Sequence, residues 1–367
     1  MPRLFVPLSA SSQTAYAQLL DATVAQRAIA PHIQGGSFAS KTIKGRLYWY
    51  FQFRDDTSTL RQIYVGPQSE AVDRLRAEYA NGRQNVENLS RLAKVVALHG
   101  ATVCTPQHLR VIERLESYGF FRAGGVLVGT HAFLAMSNML GAKWTVGDLT
   151  MDIDFAYTDN VDIALPSNIE INSSSAIDSL KEGFIPLLDR HGKPNGTFVH
   201  ARQSAFTLDF LIPIKRDAKP VNVERLGITM QQVRMLEFIL QDCEQAVVAS
   251  RLGMTALVNI PSPARFAVHK LMVAAARPTS QRAKAIKDVN QAAAIFEIGL
   301  DMDTHQIFLA TQDAMARGAS WKKKFLTGFS ALSNRFPDIA APYRESIAAA
   351  EHPPAPRRSI ARAAPRG

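Results

Sequence analysis

Cysteine is almost missing from this chain of 367 residues: only Cys104 and Cys243 occur, far apart and in no CxxC pair. That excludes a disulfide framework, offers no spacing typical of a structural zinc module, and fits a reducing compartment. Long apolar runs are missing too. No stretch reaches the roughly 20 residues that a membrane-spanning helix needs, and the apolar run in the opening MPRLFVPLSASSQTAY is too short for a signal peptide. No repeat period is visible. A soluble, cytoplasmic chain with no membrane partner is expected, and nothing in the sequence assigns an oligomeric state. The end HPPAPRRSIARAAPRG lacks acid altogether. Arg357, Arg358, Arg362 and Arg366 there supply four of the ten net positive charges, leaving +6 for the rest. Such a Pro-, Ala- and Arg-rich segment, 351–367, is expected to be a disordered basic tail.

What is present is a 47% hydrophobic composition, enough for real cores and for two or three domains. The mildly basic body favours a polyanionic partner without requiring one. Residues 12–30 carry helical apolar spacing. In 36–66, Ile43, Leu47, Trp49, Phe51 and Phe53 alternate with Lys44, Arg46, Tyr48, Tyr50, Gln52 and Arg54, a period of two that makes a β-hairpin or a three-stranded sheet. Helical patterns follow to about 118, with Thr105 and Pro106 suited to an N-cap and first helical position. Strands and helices mix from 119 to 218: GGVLVG a buried strand, THAFLAMSNMLG a helix stopped by Gly141, MDIDFAY, TFVHAR and FTLDFLIP further strands, and a helix around AIDSLKEGFIPLLDR. From 219 to 350 helical patterns dominate, including TMQQVRMLEFILQDCEQAVVA. The fold expected is α+β: a small central mixed sheet (119–218) between an N-terminal helical and hairpin region (1–118) and a C-terminal helical domain (219–350).

The chemistry centres on three carboxylates. In a strand, Asp152 and Asp154 of MDIDFAY point to one face, with Ile153 and Phe155 toward the core. Two carboxylates held together repel unless a cation lies between them, and Mg2+ is the natural one, being hard and oxygen-seeking. A solvated acidic pair at a strand end is the ordinary alternative, and the DxD by itself leaves both open. Two further features favour the metal. Gly129 and Thr130 join a strand to a helix, where glycine allows close backbone approach and helix-start amides attract phosphate. Asp209 is a lone acid among Leu208, Phe210, Leu211 and Ile212, costly to bury unless paired or metal-bound. Three carboxylates on neighbouring strands with a phosphate-holding turn make a two-metal phosphoryl-transfer site. A dehalogenase-type phosphatase would have Thr two residues after the second Asp, where Ala156 stands. A metal-dependent glycosyltransferase would not require the GTH turn or Asp209.

The set VGTHAF, DIDFA and LDFLIP resembles the nucleotidyltransferase superfamily that includes DNA polymerase beta, and most closely the bacterial nucleotidyltransferase-like proteins carrying GTHAF, DIDFA and, downstream, ARFAVHKL. The resemblance covers roughly residues 120–300. It implies that Gly129 and Thr130 bind nucleotide phosphates, that Asp152 and Asp154 bind Mg2+ (or Mn2+), and that Asp209 is the third ligand and a candidate for the base. It also implies that Lys270, on a helix after the sheet, reaches the triphosphate. Thr130 stands where the family has Ser, and the stretch from Gly129 to Asp152 is longer than in minimal members.

The expected activity is Mg2+-dependent transfer of a nucleoside monophosphate from an NTP to an acceptor hydroxyl on RNA, protein or a small molecule, with release of pyrophosphate. The other reading is a nucleic-acid-binding protein whose nucleotidyltransferase fold does not catalyse. A toxic or defensive use of the transfer is a third. The hairpin bears on the acceptor: Lys44, Arg46, Tyr48 and Tyr50 mix positive charge with aromatics, as strand surfaces that contact nucleic acid do. A hairpin packed by a helix on its Trp49 face and by another part of the chain on its Tyr face is the plainer expectation. Asp288 is expected to be an ion-pair partner rather than a catalyst, and His131 a structural residue.

Overall fold

The computed structural model describes residues 2–29, 37–43, 45–54, 60–147, 150–158, 171–214 and 218–351. The fold is α+β, as expected. Two compact units divide after Pro263. Among the described residues no helix is long and apolar enough to cross a membrane.

The first unit is built on a seven-stranded mixed sheet. The strand Gln203–Pro213 runs through its middle, parallel to Ile153–Tyr157 on one side and to Ile228–Val233 on the other, with Pro194–His200 antiparallel along its first half. Gly125–Val128 pairs antiparallel with Ile153–Tyr157, and Phe184–Leu188 and Val221–Val223 complete the sheet. A separate antiparallel pair, Cys243–Ala249 with Thr255–Pro261, is tied to the main sheet by Asn259, whose Nδ2 donates to the carbonyls of Phe121 and Gly125 at 2.7 and 2.8 Å. The N-terminal helices belong to this same unit. Tyr16, on Ala10–Ile29, donates its hydroxyl to the Val247 carbonyl and accepts from the Val247 N–H. Leu19, Leu89, Ala93 and Val96 close a buried cluster over that strand. Packing, rather than the hydrophobic content of any one helix, therefore fixes where these helices lie.

The three-stranded sheet Ser37–Ile43, Arg46–Arg54 and Leu60–Pro67 forms as the alternation requires, with Gly45, at φ 74°, breaking the run expected to be continuous. Its Trp49 face meets the helix Glu70–Leu98: Phe38 and Phe51 lie 5.5 and 5.1 Å from the Tyr79 ring, and the Arg76 guanidinium sits 3.6 Å over Trp49. Thr105 caps Pro106–Ser117 by accepting from the His108 N–H, and Gly141, at φ 61°, follows Gly129–Met139.

Two helical expectations are corrected. The run 229–249 is mostly strand, Ile228–Val233 and Cys243–Ala249, interrupted by the four-residue helix Leu236–Ile239. Its spacing suits a helix, but Met235 turns into the left-handed region (φ 65°), and pairing with Leu211–Pro213 and Thr255–Pro261 decides the rest. Likewise only Ser173–Ser179 of the segment around AIDSLKEGFIPLLDR is helical, and Phe184–Leu188 pairs into the sheet. The sheet unit accordingly runs on to Pro263, and helices prevail only from there.

The second unit is helical, with Arg282–Asp301, His305–Ala316 and Ala319–Arg335 as its main elements. Tyr343 lies edge-on to Phe296 at 4.8 Å and donates its hydroxyl to the Phe296 carbonyl at 2.7 Å, joining two helical segments through a buried aromatic. The basic tail from 352 lies outside the described residues.

Candidate active site

Parallel pairing sets Leu208 beside Ile153, Asp209 beside Asp154 and Phe210 beside Phe155. Side chains alternate along each strand, so registered neighbours share a face. Ile153, Phe155, Leu208 and Phe210 are all fully buried on one side, with Phe155 and Phe210 stacked at 5.2 Å. Asp154 and Asp209, both half-buried, stand together on the other. A slip of one residue in either strand would drive its acid into that aromatic core, so the hydrophobic pattern itself holds the two carboxylates side by side.

The glycine turn meets the same point. Val128 is registered with Asp154, and the chain then turns through Gly129 at φ 63° into the helix Gly129–Met139. A Cβ at Gly129 would lie 2.0 Å from Asp154 Oδ2. Backbone conformation and space both demand glycine here, and the helix therefore starts beside the carboxylate. Its first-turn N–H groups, which no carbonyl within the helix can satisfy, begin at that spot. Thr130 and His131, next along, are 6% and 3% exposed.

Beyond Asp209 the row continues into Pro194–His200. Thr197, registered with Asp209, donates its hydroxyl to Asp209 Oδ1 at 2.6 Å and accepts from Gln231 Nε2 at 2.5 Å. Asp152 precedes the strand, and its carbonyl accepts from the Thr150 hydroxyl at 3.3 Å. Burial pushes the His108 imidazole below its ordinary range, and the charge of Asp152 opposes that shift. His108 in turn shares a 2.9 Å hydrogen bond, Nδ1 to Nε2, with His131.

Of the residues expected to form the site, the structure brings Gly129, Asp154 and Asp209 together directly, and Thr130 follows on the same turn. Lys270 lies in the helical unit, where its Nζ donates to Asp288 Oδ1 at 2.8 Å; Arg277 Nε donates to the other oxygen of Asp288 at 2.5 Å. The structure thus gives Lys270 a fixed acidic partner, and Asp288 is an ion-pair residue. On the outer face of the three-stranded sheet, Arg46 is exposed and Tyr48 and Tyr50 are half-exposed. Tyr64 joins them, 5.5 Å from Tyr50, with the Lys41 ammonium 4.7 Å over the Tyr50 ring. Lys44 lies outside the described residues. Thr197, Gln231 and His108 escaped the sequence reading. Thr197 and Gln231 are brought to Asp209 only by strand register.

A family model described as Nucleotidyltransferase matches residues 107–316. No curated protein and no solved structure matches the chain.

Proposed function

The chain belongs to this nucleotidyltransferase family, and we propose that it moves a nucleoside monophosphate from an NTP to an acceptor hydroxyl, releasing pyrophosphate, with Mg2+ as its cofactor. The GTHAF and DIDFA stretches support a finer likeness to the bacterial nucleotidyltransferase-like proteins. The observation that carries the reading is the register of Asp154 beside Asp209 with the Gly129 turn pressed against the Asp154 carboxylate.

The donor set fits a hard divalent ion: two carboxylates on one face of adjacent strands, a third two residues away, and no room for a side chain at the adjoining turn. Asp152, Asp154 and Asp209 are the residues that would hold it. When bound, Mg2+ supplies positive charge to the triphosphate and makes the acceptor hydroxyl easier to deprotonate. The chain's own groups do the rest. Amides at Gly129 and Thr130 take phosphate oxygens, as helix starts do. Asp209, oriented by the Thr197 hydroxyl, accepts the proton of the attacking hydroxyl. Gln231 orients Thr197 in turn.

RNA is the acceptor class we propose. Its support is the outer face of the three-stranded sheet, where tyrosines offer stacking surfaces and Lys41 and Arg46 offer charge to a backbone. The test incubates the protein with each alpha-labelled NTP, Mg2+ and total bacterial RNA or soluble protein, beside Asp154→Asn, followed by nuclease or protease digestion. Label that requires Asp154 and is released by nuclease supports both parts. Label released by protease moves the acceptor to protein. Equal labelling by Asp154→Asn would sink the catalytic assignment.

A further inference from the structure

We propose that Cys104, His108 and His131 form a second metal site, taking one borderline transition ion, zinc in the first place. One ligand atom from each lies within 4.8 Å of the others, and both histidines are 3% exposed. A tetrahedral zinc ion with Zn–N near 2.0 and Zn–S near 2.3 Å separates its donors by roughly 3.3–3.6 Å. The two ring nitrogens, 2.9 Å apart, need to open by a few tenths of an ångström, and the thiol, at most 4.8 Å from either, needs to close by up to about 1.3 Å, within reach of a side-chain rotation.

The supporting structure is built to hold these donors. Cys104 N–H donates to the Ala249 carbonyl at 2.8 Å. Two residues earlier, Asn138 clamps Thr102 from both sides, Oδ1 accepting from the Thr102 N–H and Nδ2 donating to its carbonyl. Asn138 and His131 lie on the same helix, so the segment bearing Cys104 is fixed to the helix bearing His131. Thr105 caps the helix that carries His108. Cys104 and His131, though not His108, also line one small pocket, otherwise apolar except for Thr102 and Asn138. Sulfur and imidazole select zinc-class ions, whereas Mg2+ prefers oxygen, so the two sites would divide the metals by donor type. Because the ligand is the thiolate, binding would release the Cys104 proton. The ion would tie Pro106–Ser117 to the start of Gly129–Met139, and so brace the turn that presents Gly129 and Thr130.

Cobalt is the probe, because a thiolate on Co2+ gives a near-ultraviolet charge-transfer band that oxygen ligands do not. Full-length protein stripped with a chelator should take up one equivalent of Co2+ with that band, and Zn2+ should displace it. Cys104→Ser should abolish the band while Cys243→Ser, altering the only other thiol, keeps it. His108→Gln and His131→Gln should each weaken zinc at least about tenfold in competition with a chromogenic chelator. Asp209→Asn should leave the band intact, which separates this site from the carboxylates. Absence of the band in wild type, its dependence on Cys243, or indifference to either histidine would overturn the proposal. The wild-type spectrum decides even where a variant folds poorly.

Discussion

Asp209 in the sheet unit is half-buried and Asp288 in the helical unit is buried, and the chain surrounds the two acids differently. Asp288, 2% exposed, lies between Lys270 and Arg277, at 2.8 and 2.5 Å. Its compensating charge is covalently part of the fold. Asp209 is registered beside another carboxylate, Asp154, and takes a bond from the neutral hydroxyl of Thr197. An acid packed against cations holds helices together. Two carboxylates side by side raise the local negative potential and offer oxygen donors to a diffusible cation. The difference fits an ion-pair role for Asp288 and the metal-holding role proposed for Asp154 and Asp209.

The same substitution should therefore have opposite consequences in the two places. The largest effect expected is on rate: Asp154→Asn and Asp209→Asn should each slow nucleotide transfer by about a thousandfold or more, roughly 4 kcal/mol of barrier. Each should lower the melting temperature less than Asp288→Asn does, because each removes one of two registered like charges. Asp288→Asn should do the reverse. It strands Lys270 and Arg277, whose side chains are 13% and 23% exposed, and should cost about 3 kcal/mol in denaturant unfolding. Equal loss of stability at Asp209 and Asp288 would break the comparison.

A third substitution sharpens it at the turn. Gly129→Ala places a Cβ in left-handed backbone and against Asp154 Oδ2. Strain of about 1–2 kcal/mol is expected from the backbone alone. The clash should also push Asp154 from its place beside Asp209, so transfer should fall by at least about tenfold while the fold persists. Melting curves and initial rates on the same preparation separate the two parts.

Much of this was legible in advance because it depends on local rules. The alternation around Trp49, the cap at Thr105 and the acids of MDIDFAY and FTLDFLIP each announce themselves within a few residues. The stretch 228–249 did not, since Met230, Val233, Leu236 and Leu240 suit a helix until distant strands claim them. The pairing of His108 with His131, 23 residues apart, and the contact of Thr197 with Asp209 arise from register and packing that no local pattern contains. The carboxylates were readable, whereas the groups that orient them were not.

Thr197 gives the finest test of how the sheet unit handles its acid. Thr197→Val keeps the shape, removes the donor to Asp209 and leaves Gln231 Nε2 without this acceptor. A lost hydrogen bond of this kind is worth about 1 kcal/mol, or roughly fivefold in rate. If the hydroxyl orients Asp209 for proton acceptance, the loss should fall on kcat with KM for the NTP little changed, and Thr197→Ser should recover most of it. If Thr197 only packs the strand, Val should be the better replacement, and Ser, the smaller residue, the worse. The order of Val and Ser in kcat thus distinguishes a hydroxyl that positions a carboxylate from one that merely fills its face of the sheet.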